Sequence, residues 1–368
     1  MKSLLATCWL LVLGGLSLAA QDPRQLSATD RADGPYVFWK NATTAEVMKF
    51  VDGKVAKKTY SDIVKPREVM APGTAESTIL LDPSLPKPPK SVWPAPKKLM
   101  AISDLEGNYT NTVRFLKNAK VIDAQGHWAW KDGHLVLIGD LVDRGYQVTE
   151  LMWLLRRLER EAQAAGGELH YILGNHEVMV MGGDLRYIHP KYQYMSQQFE
   201  TTYDKLYGAD TDIGRWWRSK NSVEVIGDLL FVHGGYSPSL EALKLSPEKL
   251  NTRIRKCLPP AKVVAGTIAE NPVADILGPF WYRGYFAQYA AGFGGKTPPD
   301  KIVENLKRHN AKHVVVGHTV VKQVGFLDST KTVIGTDVKW ADPDAGEGLL
   351  MEGKQLYRVD ISGKREPL

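Results

Sequence analysis

The sequence predicts an α/β fold built on parallel strands, with a small β-hairpin extension before it. Short apolar runs typical of strands alternate with segments of helical spacing between residues 99 and 173. The pattern comprises strands at 99–103, 135–138 and 169–173 and helices at 110–119 and 147–165. This alternation implies βαβ units. Each of the three strands ends in a polar cluster, and sites in open α/β sheets form at the carboxyl ends of the strands.

The first 20 residues have the composition of a signal peptide rather than of a folded element. Lys2 supplies a positive charge, and the apolar stretch at 4–18 is too short and poorly flanked to span a membrane. Small residues around Ala19-Ala20 suit cleavage, so we expect a periplasmic or secreted protein. Cys8 raises the alternative of lipid attachment, which its place inside the apolar stretch disfavours.

Residues 21–98 form the predicted extension. Strand-like runs at 36–39 and 47–51 lie within it, and Asp52-Gly53 is a strong tight-turn signal. The segment 87–98 carries four prolines and four lysines and is interpreted as an extended linker. The predicted domains are therefore a signal peptide at 1–20, the extension and linker at 21–98, and a main domain at 99–368, to which the motifs below assign the catalytic role.

The second half of the main domain has a mixed pattern. An aromatic-rich, helical segment at 187–220 precedes a hairpin around Gly227-Asp228. Further elements are predicted as strands at 223–226, 229–232, 313–316, 320–326, 331–336, 348–351 and 355–359 and a helix at 300–308.

Composition excludes several classes of protein. The 368 residues are 43% hydrophobic, which is enough to bury a sizeable core. A net charge of +6, without a basic stripe or tail at the motifs, argues against nucleic-acid binding. No segment after the leader is apolar enough for stable membrane insertion. Once Cys8 is removed with the leader, only Cys257 remains, so neither an intramolecular disulfide nor a thiolate metal cluster is expected.

Five short clusters contain the residue types that bind divalent metals. They are DLEGN at 104–108, GDLVDRG at 139–145, GNHE at 174–177, HGG at 233–235 and GHT at 317–319. Each follows a predicted strand, and carboxylate, imidazole and amide ligands suit Mn, Fe, Zn or Mg. HGG or GHT alone is a weak signal, but the five together in one order are specific.

The clusters resemble the phosphoprotein-phosphatase branch of the calcineurin-like metallophosphoesterases. YGAD at 207–210, GRWWRSK at 214–220, FVHGG at 231–235 and GPFWYRG at 278–284 resemble, more narrowly, the Shewanella-like phosphatases. The resemblance covers about residues 99–337. It implies a four-layer α/β/β/α sandwich with two mixed sheets.

The resemblance also implies a ligand set for two divalent metal ions. Asp140 matches the carboxylate that bridges both metals, and Asp104 matches a ligand of the first. Asn175, His233 and His318 match ligands of the second. A bridging ligand must be an anion to hold two cations together, and two metals acidify a water between them and neutralise phosphoryl oxygens.

Four further residues match the catalytic group of the family. Arg144 and Arg283 match the phosphate-binding arginines, whose planar forks fit two phosphate oxygens. His176, oriented by Asp143, matches the group that protonates the leaving oxygen, as a histidine held by a carboxylate can do near neutral pH.

Glu106 departs from the family pattern, which has histidine at this position. A glutamate can bind the first metal through oxygen, which would favour Mn or Mg over Zn or Fe. The alternative is that the first metal is bound loosely or not at all. Asp337, after a strand near the C-terminus, is a candidate for a supporting role beside the site.

The sequence therefore predicts a secreted phosphatase of phosphomonoesters, acting on a phosphoprotein or a small phosphate ester by attack of a hydroxide between two metals. Manganese is the favoured metal, with Mg, Fe or Zn as alternatives. One rival function is hydrolysis of nucleotide phosphodiesters or dinucleoside polyphosphates. Another is a phosphate-binding pseudoenzyme whose first metal site is weakened by Glu106.

Overall fold

The computed structural model describes residues 32–72, 78–259 and 267–368. The predicted signal peptide at 1–20 lies outside the described residues. The described part of the chain contains no helix that is both long and apolar enough to cross a membrane.

Strands and helices alternate along the described chain. The strands are β1 Asp33–Trp39, β2 Ala45–Val51, β3 Lys54–Tyr60, β4 Arg67–Met70, β5 Thr78–Leu81, β6 Val92–Trp93, β7 Lys98–Ile102, β8 His134–Leu137, β9 Glu168–Tyr171, β10 Val223–Ile226, β11 Leu229–Val232, β12 His313–Val316, β13 Gly325–Phe326, β14 Val333–Gly335, β15 Glu347–Glu352, β16 Gln355–Asp360 and β17 Arg365–Pro367. The helices are α1 Tyr109–Asn118, α2 Val148–Ala164, α3 Asn175–Gly182, α4 Pro190–Gln198, α5 Asp212–Ser219, α6 Pro238–Ala242, α7 Pro247–Cys257 and α8 Pro299–Arg308, with short 3₁₀ turns at Tyr203–Tyr207 and Ala290–Phe293.

Two mixed six-stranded sheets form the centre of the molecule. The first sheet has the order β17-β16-β15-β7-β8-β9, and β7, β8 and β9 run parallel, as predicted. The second has the order β13-β14-β12-β11-β10-β6, with β11, β12 and β14 parallel. One hydrophobic core contains side chains from both sheets and from the helices that cover them. The architecture confirms the predicted α/β class with two mixed sheets.

The helices pack on the sheets because each has one apolar face. α2 buries Leu151, Leu155 and Leu158 at helical spacing and contacts β9. α7 lies on the second sheet, where the Asn251 side chain accepts hydrogen bonds from the backbone N–H groups of Ser222 and Val223. Helices therefore cover both sheets.

The N-terminal extension contains a three-stranded antiparallel sheet, β1-β2-β3, and a two-stranded antiparallel sheet, β4-β5, rather than a hairpin alone. The predicted turn Asp52-Gly53 joins β2 and β3, and Asp52 and Gly53 both have positive φ. The small sheet lies against α2, where the Trp153 indole N–H donates to the carbonyl of Pro35 at 2.8 Å. One face of the small sheet, which includes Tyr36, Met48 and Phe50, belongs to the main hydrophobic core, and the other face packs on β4 and β5 in a separate cluster.

Two segments differ from the sequence interpretation. Residues 92–93 of the expected linker form β6, an edge strand that pairs in parallel with β10. Pairing is possible because Val92 and Trp93 are not prolines and have backbone N–H groups that can bond to the neighbouring strand. The expected strand at 320–326 is restricted to Gly325–Phe326. Residue Val320 is instead 53% exposed and lines a cavity beside the strand ends, so its apolar side chain does not belong to a sheet.

Candidate active site

The five polar clusters meet where strands of both sheets end. The backbone N–H of Gly317, after β12, donates to the carbonyl of His233, after β11. The N–H of His318 lies 3.1 Å from both carboxylate oxygens of Asp104, which follows β7. These contacts join the two sheets at one edge, around a cavity of about 580 Å³.

The predicted site residues lie in or directly behind this cavity. Those that line it are Asp104, Glu106, Asp140, Arg144, Asn175, His176, Arg283 and His318. Asp143 and His233 are buried behind it, at 1% and 0% exposure. Parallel strands in the two sheets have therefore gathered residues that lie more than 200 positions apart in the chain.

Sharp backbone turns point these side chains into the cavity. Asp104, Asp140 and His318 have φ of 53°, 52° and 63°, a left-handed conformation that is uncommon for residues other than glycine. Glycine is needed beside them, since a Cβ on Gly174 would lie 2.3 Å from the Asp140 carboxylate, and one on Gly317 would lie 2.4 Å from that of Asp104. This strain is concentrated at the ligand-type residues.

A buried group of donor atoms suits one metal ion. Ligand atoms of Asp140, His233 and His318 all lie within 4.8 Å of one another. His233 donates its Nδ1–H to the carbonyl of Ile138 at 2.7 Å, which leaves Nε2 facing Asn175 Oδ1 at 3.0 Å and Asp140 Oδ2 at 3.2 Å. Three acceptor atoms that face one another need a cation or a proton between them.

The electrostatics of His233 agree with that requirement. Burial lowers the pKa of this imidazole. The negative charge of Asp140 and the hydrogen bond between Asp140 and His233 raise it by more, so that the pKa of His233 is about 9. The protonated ring supplies a positive charge where a divalent cation fits. The residues present therefore match a metal position made by Asp140, Asn175, His233 and His318.

The second cluster of acceptors is made by carboxylates. Asp104, 4% exposed, and Asp337, 7% exposed, line the cavity together with Asp140. Burial and the negative charge of Asp337 raise the pKa of Asp104 well above its usual range. Burial and the charge of Asp140 raise the pKa of Asp337 to about 7. Crowded carboxylates of this kind suit a hard cation, which offsets their repulsion.

Glu106 has a different neighbour from the one expected of a metal ligand. Its carboxylate forms an ion pair with the guanidinium Nη1 of Arg144. Glu106, like Asp104 and Asp337, lies outside the group of described residues whose ligand atoms are within 4.8 Å of one another. The predicted metal ligand and the predicted phosphate-binding arginine are therefore joined to each other.

His176 has the surroundings of a general acid. Its Nδ1 lies 2.6 Å from Asp143 Oδ2, and its Nε2 lies 3.7 Å from Asp140 Oδ2. Burial lowers the pKa of His176, but the charge of Asp140 and the hydrogen bond to Asp143 raise it by more, so the net shift is upward. The ring is thus held as a proton donor that faces the metal-ligand carboxylate.

Arginine and aromatic side chains form the rim of the cavity. Arg283 donates to Thr319 Oγ1 at 3.0 Å and lies 5.3 Å from the ring of Tyr289. Arg144 lies 5.4 Å from the ring of Tyr187, which is 42% exposed. Trp281 and Phe293 line the same cavity. The rim combines positive charge with flat apolar surfaces.

Sequence reasoning missed part of this rim and one supporting residue. Of four aromatic residues in the segment 187–220, Tyr187 lines the cavity, whereas Trp216, Trp217 and Tyr192 are fully buried in the core. Glu177 was not singled out, although its carboxylate accepts from the backbone N–H groups of Asp140 and Leu141 at 3.1 and 2.8 Å. Its place in the GNHE cluster was the available signal.

The α/β fold has two mixed sheets, and its cavity combines a buried set of Asp, His and Asn donors with two arginines. These features define a metallophosphoesterase. The chain belongs to the calcineurin-like phosphoesterases, a hydrolase family whose model matches residues 97–322.

Relatives narrow the similarity to one group of phosphatases. The chain is 27% identical to Shewanella-like protein phosphatase 2 of Arabidopsis thaliana over 44% of this chain and 51% of that protein. It is 24% identical to Shewanella-like protein phosphatase 1 of Plasmodium berghei over 60% of this chain and 61% of that protein. The chain thus spans about half of the Arabidopsis relative and three-fifths of the Plasmodium one.

A solved structure matches over almost the whole chain. The cold-active protein-tyrosine phosphatase of a psychrophilic Shewanella species is 34% identical, with a TM-score of 0.82, over 92% of this chain and 99% of that one. The match therefore extends well beyond residues 99–337, and includes most of the N-terminal extension.

Proposed function

We propose that this protein is an exported, metal-dependent phosphatase that hydrolyses phosphomonoesters, with a preference for aryl phosphates such as phosphotyrosine. The observation that carries the proposal is the placement of the His176–Asp143 pair and of Arg144 and Arg283 around one buried donor set. Binding, leaving-group protonation and metal ligation are then available within a single cavity.

Two metal ions fit the donor atoms. Asp140, Asn175, His233 and His318 would hold one, and Asp104 and Asp140 would contribute to the other. Divalent metals in such sites supply an acidified water and neutralise the phosphoryl oxygens. We propose manganese, because carboxylate and imidazole ligands are mixed and thiolates are lacking among the described residues around the cavity.

The protein's own residues perform the remaining steps. Arg144 and Arg283 bind phosphoryl oxygens and hold the ester for attack on phosphorus by water. His176 Nε2 donates a proton to the leaving oxygen as the P–O bond breaks, and Asp143 holds Nδ1 so that the ring keeps its orientation. Alcohol or phenol and inorganic phosphate are the products.

The shape of the rim supports aryl phosphates. Tyr187, Trp281 and Tyr289 line the same cavity as the arginines and the donor set, and they offer flat surfaces to a phenyl ring. The similar Shewanella structure is described as a protein-tyrosine phosphatase, which supports the same preference. Phosphoserine and phosphothreonine side chains would leave these aromatic surfaces largely unused.

Assays of metal-stripped protein test the function. Mn, Mg, Zn or Fe is added back, and turnover is measured with p-nitrophenyl phosphate and with phosphotyrosine, phosphoserine and phosphothreonine peptides. We expect the highest kcat/KM for the aryl esters with Mn. Faster hydrolysis of dinucleoside tetraphosphates would favour the nucleotide rival. Phosphate binding without turnover under every metal would favour the pseudoenzyme.

We also propose export, for which the composition of residues 1–20 is the support. Mass spectrometry of the N-terminus of protein isolated from its native cells tests it. A mature chain that begins near residue 20 or 21 is the expected result. An intact Met1 in the purified protein would contradict it.

A further inference from the structure

Asp337 lies in the cavity where a metal ligand could act. It belongs to none of the five clusters that resemble the family. It follows β14 by two residues and lies in the same cavity as Asp104 and Asp140. It is 7% exposed, and its backbone carbonyl is bound by the N–H of Val321. Its side-chain carboxylate makes no hydrogen bond or ion pair with any other described residue. A buried carboxylate without a donor therefore faces the site.

The position of Glu106 shows why such a ligand is needed. The family has histidine here, but Glu106 forms its ion pair with Arg144. With one carboxylate oxygen engaged by the guanidinium, Glu106 has one oxygen left that could bind a metal. Apart from that oxygen, the first metal position has Asp104 and the shared Asp140, fewer protein ligands than its neighbour has.

The carboxylates in the cavity favour a compensating cation at that position. Asp337 is the principal charged neighbour of Asp104, and Asp140 is that of Asp337; all three carboxylates are at least nine-tenths buried. Arg144 and Arg283 lie on the rim, and one of them is already paired with Glu106. Three buried carboxylates at one place are sustained when a divalent cation binds among them.

We propose that Asp337 is a ligand of the first metal, taking the part of the missing histidine, while Glu106 orients Arg144. This inference rests on the proposed metal-dependent function. The two metal positions then differ in chemistry. One has three carboxylates and selects hard cations such as Mn²⁺ or Mg²⁺, whereas the other has the imidazoles of His233 and His318.

Metal content of the Asp337→Asn variant tests the proposal. Wild type, Asp337→Asn and the matched control Asp344→Asn, at an exposed aspartate of the same region, are equilibrated with Mn²⁺, desalted and measured by elemental analysis. Isothermal titration with Mn²⁺ alone gives the two affinities. We expect two metals in wild type and control and one in Asp337→Asn, with the weaker affinity reduced more than about tenfold, since loss of even a supporting residue costs about 10–100-fold.

Two further variants separate ligation from other roles. Asp337→Glu keeps a carboxylate and is expected to recover part of the second equivalent of metal. Glu106→Gln is expected to retain both metals but to raise KM severalfold with little change in kcat, because Arg144 loses the partner that orients it. Circular dichroism and thermal melting establish that each variant is folded.

The outcomes distinguish this inference from the proposed function. Two metals of unchanged affinity in a folded Asp337→Asn variant would overturn the assignment of Asp337 and leave the phosphatase function standing. Loss of metal in Glu106→Gln, with none lost in Asp337→Asn, would assign the ligand to Glu106 instead. A wild-type protein that binds no Mn²⁺ would overturn both proposals.

Discussion

Asp143 lies 2.6 Å from Nδ1 of His176 and has 1% of its surface exposed, so the only proton of His176 that can face the cavity is on Nε2. The imidazole is fixed by a contact with a carboxylate, and the backbone N–H of His176 is fixed by Asp140 at 2.9 Å. This pair determines where a proton can be delivered.

Replacement of His176 by asparagine is expected to reduce kcat by about 10²–10⁴-fold for esters with poor leaving groups, the usual contribution of a general acid. The reduction should be smaller for p-nitrophenyl phosphate, whose leaving group departs without protonation. Metal content should stay at the wild-type level, because His176 is placed as an acid and not as a ligand. Steady-state kinetics with a series of aryl phosphates checks this, and an equal loss across the series would contradict it.

Replacement of Arg283 by lysine is expected to lower kcat/KM by roughly 10–100-fold, since a charge-assisted pair of hydrogen bonds contributes about 1.5–3 kcal/mol. Lysine keeps the charge but not the planar fork. The matched control is Arg186→Lys on the same rim, where the guanidinium is already bound by Asp184 at 2.7 and 2.8 Å. Inhibition by inorganic phosphate should weaken in the first variant only; parallel weakening would argue for a general charge effect.

Glu159 is expected to be important for stability and not for chemistry. Its buried carboxylate accepts from the Trp216 indole N–H at 2.7 Å and from Arg156 at 3.1 Å, and it pairs with Lys220. Glu159→Gln leaves the cation of Lys220 without its partner, and breaking a buried pair costs about 3–5 kcal/mol. Denaturant unfolding measures the loss. The control is Glu304→Gln, which removes one partner of the exposed ion pair between Glu304 and Lys301. It should change the free energy of unfolding by less than about 1 kcal/mol.

Acid is expected to destabilise the fold partly through His309. Burial and the neighbouring Arg308 lower the pKa of His309 from 6.5 to about 4, and the ring packs on Tyr236, 3.8 Å from Glu241. The folded pKa is depressed, so the unfolded chain takes up the proton first. The contribution of neutral His309 to the free energy of unfolding is therefore complete above pH 6.5 and is lost as the pH falls toward 4.

The measurement is the free energy of unfolding at a series of pH values between 4 and 6.5. His309→Gln should have a shallower slope than wild type, by at most about 1.4 kcal/mol per pH unit for one proton. Lys307→Gln, at an exposed position of the same helix, should keep the wild-type slope. An unchanged slope in His309→Gln would show that other groups take up the protons.

Local patterns in the sequence were sufficient for the parts of the fold that depend on periodicity and turns. The helix predicted at 147–165 is observed at Val148–Ala164, and the hairpin around Gly227-Asp228 is observed as β10 and β11. The expected strand at 320–326 was wrong over most of its length: Val320 lines the cavity, and only Gly325 and Phe326 belong to a sheet. Periodicity reports that a side chain is apolar but not what covers it.

The aromatic residues illustrate the same limit. Tyr187 and Trp216 both lie in the aromatic-rich segment at 187–220, yet the first is 42% exposed at the rim and the second is 0% exposed in the core. Trp216 packs in the core where its indole N–H donates to Glu159 of α2, which is 57 positions away in the chain. No local pattern carries that information.

The sequence alone determined the ligand-type residues and their order after strands, because strand periodicity and glycine-bounded turns are local properties of the chain. Only the tertiary structure decided which acidic residues face one another. It joined Glu106 to Arg144, and it placed Asp337 near Asp104, which lies more than 200 residues earlier in the chain. Electrostatic energy depends on distance in space, and burial removes the solvent that would screen these charges, so their partners are determined by the packing of the two sheets.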